Sequence, residues 1–258
     1  MLRIGASDMI FSKTAGIGLG GAILAAALSA TAPANAATYD AVGDFSIASN
    51  PNGVWAYGTG LAGSTFTALP VSGTSLLGSN SFDYWQVTDP VDLVPLVGKN
   101  VGSDPIIFST VLVPTGVLEV HPGPSTDTIV QFTAPTAGSY TLSTSFELLD
   151  ISPSGVTAEV YNNGTQLFSD TLTSPGANQG TDTPGQSVSF SDTLHLNAGD
   201  TLSFAVNNDG NFLFDSTGLT ATISSAVPEP ASWAMMLAGF GGLGAAMRMR
   251  RKPATATA

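Results

Sequence analysis

The sequence predicts an all-β protein, a single β-sandwich of jelly-roll type with an apolar helix at either end. Three observations predict it. Between residues 38 and 225, short runs alternate apolar and polar residues and are divided by turn signals, the pattern of strands with one wet face. No segment there sustains a 3.6-residue apolar period, and Thr and Ser fill the outward positions, which suits strands and depletes helices. The long apolar runs fall outside that region, at residues 15–30 and 231–247. Many short antiparallel strands with one buried face make a sandwich, with a barrel as the alternative.

Residues 1–36 read as a secretory signal peptide. Arg3 and Lys13 give a weakly basic lead, with Asp8 against the pattern, and residues 15–30 are apolar and rich in Ala and Gly. Ala34 and Ala36 put small side chains at the two positions a signal peptidase reads, so cleavage is expected between Ala36 and Ala37. A retained membrane anchor is the other reading; the polar sequence after Ala36 argues for removal.

The body, residues 37–226, supplies the strands. Residues 48–80 and 171–186 are rich in Gly, Ser, Pro and Asn and read as long loops. Tyr140, Leu142, Phe146 and Leu148 share one face of a strand, and Thr141, Ser143, Ser145 and Glu147 share the other. Val156, Ala158 and Val160 repeat the pattern. Val188, Phe190, Leu194 and Leu196 lead into Asn197-Ala198-Gly199-Asp200, after which Leu202, Phe204 and Val206 resume it. That stretch, LHLNAGDTLSF, predicts a hairpin. Leu219, Ala221 and Ile223 mark the last strand. No internal repeat of solenoid length is present.

Composition bounds the partners. The chain has 258 residues, a net charge of −12 and no cysteine. Lys99 is the only cation between residues 37 and 228, against 17 acids, so the body carries −16. Such a body repels phosphate backbones, so no nucleic-acid partner is expected, while divalent cations are attracted. Without cysteine there are no disulfides, thiolate metal sites or Cys nucleophile. A body of about 190 residues is large enough to supply a sizeable core instead.

Catalytic signatures are sparse. GxSxG, HExxH and phosphate-loop patterns are absent from the sequence, so no catalytic residue is assigned. Of the two histidines, His195 sits on the Ser/Thr face of its strand and is expected to point to water. His121 shares a face with Glu119, opposite Leu118 and Val120. A His–carboxylate pair is a candidate site, and a solvated edge position is the bland reading of it. Sugar binding needs less: an aromatic face to stack on a pyranose and a few polar groups. Trp55, Tyr57, Tyr84 and Trp85 are the candidates, each Trp being equally readable as core. Asn207, Asn208, Asp209, Gly210 and Asn211 form an oxygen-rich loop that lacks full calcium-loop spacing and reads as a turn. Asp209 and Asp215 are weak metal candidates for calcium; no other cofactor is expected. Asp215 is alternatively expected to fix the last turn by accepting from backbone N–H groups of residues 216–218.

The C-terminus has its own logic. Pro228, Glu229 and Pro230 precede Trp233 and Ala234, an apolar run at 231–247, and Arg248, Arg250, Arg251 and Lys252; a small polar tail fills 253–258. Two prolines forbid a helix across the first three residues. Seventeen residues at 1.5 Å each reach roughly 25 Å, enough for a short span with Trp233 at one interface and the arginines at the other. The basic end stays cytoplasmic by the positive-inside rule, which puts the acidic body outside.

Residues 227–252 resemble the PEP-CTERM sorting signal, in its PEPxxWA variant. That resemblance implies a Gram-negative host that makes exopolysaccharide, processing by a membrane-embedded exosortase near Pro228-Glu229-Pro230, and release or attachment at the cell surface. The stretches NPNGVWAYG, EVHPG, VQFTAPTAGSYTL, LNAGDTLSFAV and DSTGLTATI of the body resemble galactose-binding-like jelly rolls of carbohydrate-binding modules. The expected protein is thus an exported surface or matrix protein, held transiently at the inner membrane, whose body binds polysaccharide without catalysis. Its expected partners are signal peptidase, an exosortase, the membrane and exopolysaccharide. The alternatives are a secreted carbohydrate hydrolase or lyase using Glu119 and His121, and a purely structural adhesion protein.

Overall fold

The computed structural model describes residues 36–77, 80–88, 94–226, 239–244 and 247–248. The chain forms, in order, β1 (Thr38–Asp40), β2 (Trp55–Gly60), β3 (Thr67–Ala68), β4 (Val71–Leu77), β5 (Asn80–Gln86) and β6 (Leu96–Asn100). Next come β7 (Ile106–Phe108), β8 (Val111–Val113), β9 (Leu118–His121), β10 (Asp127–Thr133) and β11 (Gly138–Leu148). The last are β12 (Val156–Asn162), β13 (Thr165–Leu172), β14 (Ser187–Leu196), β15 (Thr201–Asn207) and β16 (Thr217–Ser225).

One sheet runs β14-β11-β16-β9-β6-β5-β4, with β1 also paired to β16. The second runs β13-β12-β15-β10-β2-β3, and β7 pairs β8 in a separate hairpin. From β9 onward the chain crosses repeatedly between layers: β9, β11, β14 and β16 lie in the first sheet, β10, β12, β13 and β15 in the second. This winding makes an antiparallel β-sandwich of jelly-roll type.

Period-2 alternation drives the packing. Tyr140, Leu142, Phe146 and Leu148 of β11 are buried, while Thr141 and Ser143 are exposed and Ser145 and Glu147 half-buried. Val156, Ala158 and Val160 of β12 and Leu219, Ala221 and Ile223 of β16 enter the same core. At its centre the Phe132 ring lies 5.4 Å from Trp55, 5.2 Å from Tyr39 and 6.0 Å from Tyr140, all tilted or edge-on. Each large side chain so buried contributes about 1.5–3 kcal/mol, and each well-placed aromatic pair about 0.5–1.5 kcal/mol more.

Two expectations are corrected. LHLNAGDTLSF is not a hairpin: β14 pairs β11 in the first sheet, and β15 sits between β10 and β12 in the second. The tight turn itself is there. Asn197 N–H donates to Asp200 Oδ2 at 2.7 Å, and Gly199 has φ 90°. Gly199 N–H, however, donates to Ala134 O, and Ala134 N–H to Asp200 O, each at 2.8 Å. The turn is therefore stitched to the β10–β11 crossover, and its strands part into opposite layers. The Asn163-Gly164 pair, with φ of 47° and 81°, makes the hairpin between β12 and β13; positive φ at both central residues is what a type I′ turn requires.

Residues 48–80, expected as one long loop, contain β2, β3 and β4. Their Ser, Thr and Gly content hides strands whose existence is fixed by ladder partners. β4 pairs β5 from Val71↔Gln86 to Leu77↔Asn80. At Gly58 inside β2 a Cβ would come within 2.3 Å of the Phe66 ring, so any larger residue there displaces that ring.

The expected signal peptide lies outside the described residues up to Asn35, as do Pro228, Glu229, Pro230, Trp233, Ala234, Arg250, Arg251 and Lys252. Of the expected span at 231–247, residues 239–244 and 247 are described and helical. Among the described residues no helix is long and apolar enough to cross a membrane.

Candidate functional site

β9 positions the centre of the candidate site. Its alternation sends Leu118 and Val120 into the sandwich core and turns Glu119 and His121 to the opposite face of the sheet. There they border a concavity of about 430 Å³. Phe82 and Tyr84 of β5, Leu96 of β6 and Leu77 of β4 line it from the sheet, and Phe108, Val111 and Val113 of the β7–β8 hairpin line it from the other side. Phe214, Asp150 and Ser216 complete it. Most of this wall is apolar.

The polar floor is a hydrogen-bonded chain. Ser216 Oγ donates to Glu119 Oε1 at 2.9 Å, Ser216 N–H donates to Asp150 Oδ2 at 3.0 Å, and Thr110 Oγ1 donates to Asp150 Oδ1 at 2.6 Å. Burial pushes the Glu119 carboxyl up to about 7; the Ser216 bond opposes this and the Asp150 charge adds to it. Burial also holds the half-buried His121 imidazole below its ordinary value, against a bond to Pro122 O and the Asp150 charge. A carbonyl only accepts, so His121 Nδ1, 2.9 Å from Pro122 O, carries the proton. In the neutral ring Nε2 is then an acceptor.

Asp215 lies beneath this floor, fully buried. Its Oδ1 is 2.6 Å from Ser154 Oγ, and its Oδ2 has no partner among the described residues. Ser154 Oγ also lies 2.8 Å from Asn211 O and 2.7 Å from Leu213 O. One hydroxyl proton cannot serve three acceptors. A protonated Asp215 that donates to Ser154 relieves the crowding, leaving the hydroxyl proton to be shared between the two carbonyls, in keeping with burial pushing the Asp215 carboxyl up to about 7. The expectation that Asp215 binds the backbone of the last turn is corrected: Asp150 takes Ser216 N–H instead.

The mouth is apolar and strained. Phe108 is 56% exposed and Phe214 47% exposed. Ser109 and Phe214 have φ of 52° and 63°, a left-handed conformation costing non-glycine residues about 1–2 kcal/mol each.

The structure distributes the sequence candidates unequally. Glu119, His121 and Tyr84 meet at the concavity. Trp55, Tyr57 and Trp85 do not: they are buried in the sandwich core, with Trp55 Nε1 donating to Asp44 Oδ2 at 3.1 Å and Trp85 Nε1 to Ser46 O at 2.9 Å. Strand parity explains the split in β5, since Tyr84 and Trp85 are neighbours and face opposite ways. Asp209 is exposed in a turn whose asparagine oxygens serve its own backbone: Asn207 Oδ1 accepts from Asp209 N–H at 2.9 Å and Asn208 Oδ1 from Gly210 N–H at 2.8 Å. Among the described residues no group of three His, Asp or Glu is placed to hold a metal ion. His195 is exposed, and Ala36 and Ala37 begin the described body. Sequence reasoning missed Asp150, Ser216, Phe82, Phe108 and Phe214. Only the apolar run Ile106-Ile107-Phe108 before a Ser-Thr turn carried a signal for any of them.

No curated protein matches this chain. Among solved structures it overlaps a β-(1,4)-mannanase of Podospora anserina carrying a CBM35 domain, at 20% identity over 45% of this chain and 22% of that one, with a TM-score of 0.28. It overlaps a family 35 carbohydrate binding module from Clostridium thermocellum at 15% identity over 61% and 100% of the two chains, with a TM-score of 0.27. Murine APRIL overlaps at 11% identity over 67% and 99%, with a TM-score of 0.26. The chain spans 10% of latent PorU from Porphyromonas gingivalis, which it also overlaps at 15% identity over 38% of its own length, with a TM-score of 0.28. Overlaps this slight carry no inference about ligand or activity. The C-terminus is different, because residues 226–252 match the pattern described as the PEP-CTERM protein-sorting motif. The chain therefore carries a PEP-CTERM sorting signal, which implies an exported protein processed by an exosortase-type enzyme.

Proposed function

We propose that this is a surface or matrix protein, anchored transiently at the inner membrane during export, whose sandwich binds polysaccharide at the β9 concavity without catalysis. The observation that carries the binding reading is the concavity itself: aromatic and aliphatic walls over buried carboxyl groups, with two exposed phenylalanines at the mouth. Aromatic faces stack on the apolar face of a pyranose, and a few convergent polar groups orient it. Transient anchoring is supported by residues 239–244 and 247–248, which are helical and expose Phe240, Leu243 and Met247. A glycan array with the full chain and with Phe108→Ala tests the binding reading. Retention of a polysaccharide by the full chain and its loss in the variant are expected; no retention of any glycan refutes it. Mass spectrometry of the mature termini tests the anchoring, with a new N-terminus at Ala37 and a C-terminus near Pro230 expected.

One observation favours a second reading. Glu119 holds its proton near neutrality beside His121, as a general acid requires. Hydrolysis or eliminative cleavage of host polysaccharide that vanishes in Glu119→Gln and His121→Ala would establish it.

A further inference from the structure

We propose that the concavity recognises an ammonium group; resting on the glycan reading above, its ligand is a pyranose that carries a free amine. Four observations converge. First, the floor holds two buried carboxyl groups with no cationic partner among the described residues; Glu119 keeps its proton near neutrality for that reason, and a bound cation favours its ionised form. Glu119 is 7% exposed and Asp150 1%, and Lys99, the only Lys or Arg between residues 37 and 228, is turned away to donate to Val42 O at 2.6 Å. A buried carboxylate without a counter-charge is costly, and a ligand cation removes that cost.

Second, the floor has free acceptor capacity. Ser216 serves one Glu119 oxygen, and no hydrogen bond reaches the other among the described residues. The two Asp150 oxygens are both taken, by Thr110 and Ser216. His121 Nε2 adds an acceptor, because Nδ1 carries the proton towards Pro122. An ammonium has three N–H donors and no acceptor, which complements this set.

Third, the walls suit a cation. The Phe82 and Tyr84 rings stand 6.4 Å apart at 22°, and Phe108 and Phe214 face solvent at the mouth. Aromatic faces attract ammonium groups, more strongly once desolvated. The same rings offer stacking area for the sugar. Fourth, the mouth is held in strained backbone at Ser109 and Phe214, as turns that present binding groups often are. A uronate finds the reverse: no cation to meet its carboxylate and a body of −16 to repel it.

Calorimetry with the full chain at pH 7 tests this, using length-matched oligomers of glucosamine, N-acetylglucosamine and galacturonate. The expected result is glucosamine binding at least tenfold tighter than its acetylated counterpart, with no galacturonate binding. Glu119→Gln, which keeps an oxygen for the Ser216 bond, should bring glucosamine down to the acetylated level. Phe108→Ala, at an exposed position, should weaken both. Equal affinity for the amine and acetylated oligomers overturns the ammonium inference and leaves the glycan reading standing. Preference for galacturonate, or amine binding that both variants retain, overturns it as well. Binding of none of the three, with every variant folded by circular dichroism, overturns the ammonium inference, and the glycan array then decides the glycan reading separately.

Discussion

Ala37 and Ser225 are joined by hydrogen bonds, one backbone to backbone and one from backbone to side chain. Ser225 N–H donates to Ala37 O at 2.8 Å, and Ala37 N–H donates to Ser225 Oγ at 3.0 Å. β1 pairs β16 from Thr38↔Ser224 onward, so the residue expected to follow signal cleavage lies beside the last residue before the sorting motif. The two ends of the described body at which the processing segments join are therefore neighbours. A peptidase binds its substrate extended, through the backbone groups this pairing occupies. Removal of the signal peptide is therefore expected before β1 docks. Refolded precursor and urea-unfolded precursor, offered to signal peptidase in detergent, provide the check. Cleavage of the unfolded form alone is expected, and Ser225→Pro, which removes both the N–H that Ala37 O accepts and the hydroxyl that Ala37 N–H reaches, should restore cleavage of the folded form. Equal rates for the folded and unfolded wild type would refute the ordering.

The aromatic residues divide into two sets with opposite expected phenotypes. Trp55 is fully buried and in ring contact with Phe132 and Phe204 at 5.4 and 6.3 Å, so Trp55→Ala should cost about 3–5 kcal/mol of stability. Phe108 is exposed in a short hairpin, so Phe108→Ala should change stability by less than about 0.5 kcal/mol while weakening ligand retention. Urea titrations and affinity electrophoresis on the two variants measure both. Loss of retention in a fully folded Trp55 variant, with none in the Phe108 variant, would reverse the assignment.

Acid should stabilise this protein. Burial raises the Glu119 and Asp215 carboxyls to about 7 in the folded state, whereas unfolded carboxyls titrate near 4. The native state thus binds more protons, and the stability these groups contribute is full below pH ~4 and lost as pH rises from there through ~7. The Glu119 share is on the order of 3–4 kcal/mol at most. Asp150 and His121 face the same floor: Asp150 adds to the rise, while burial lowers the His121 imidazole, whose smaller contribution runs the other way and is lost as pH falls below about 6.5. Melting temperatures between pH 4.5 and 8 should fall with rising pH, and the slope should lessen in Glu119→Gln. A flat profile would refute the assignment of a buried Glu119 carboxyl that keeps its proton up to about pH 7.

The fold class was legible because period-2 alternation reports burial directly: β11, β12 and β16 face as their patterns require. Layer assignment was not. Asn197-Ala198-Gly199-Asp200 has hairpin chemistry, yet what separates β14 from β15 is Ala134, more than 60 residues earlier, bonding the turn from the neighbouring crossover. The signal for the hairpin at Asn163-Gly164 was present in the sequence as an Asn-Gly pair between Tyr161 and Leu167. Half the candidate site was legible for the same reason as the fold: Glu119 and His121 share strand parity. The other half was not, because Asp150 and Ser216 reach Glu119 only through the pairing of β9 with β16 and the meeting of two loops. Trp55 and Trp85 show the limit of residue type as a guide, since burial rather than chemistry decides what an aromatic does.

A ligand with a permanent charge separates the titration of the protein from that of the amine. Benzyltrimethylammonium keeps its charge at every pH, so any pH dependence of its binding belongs to the concavity. The carboxyl that meets it is Glu119, raised to about 7 by burial; the Asp150 oxygens are already engaged. Ionisation of a group with that pKa grows about tenfold between pH 6 and pH 8. Affinity should therefore rise by about tenfold over that range in the wild type and stay level in Glu119→Gln. His121 is held neutral by burial throughout most of the interval, so it adds repulsion only towards the acid end and sharpens the same trend; His121→Ala should retain most of the rise. A pH-independent affinity in the wild type would mean that Glu119 does not face the bound cation.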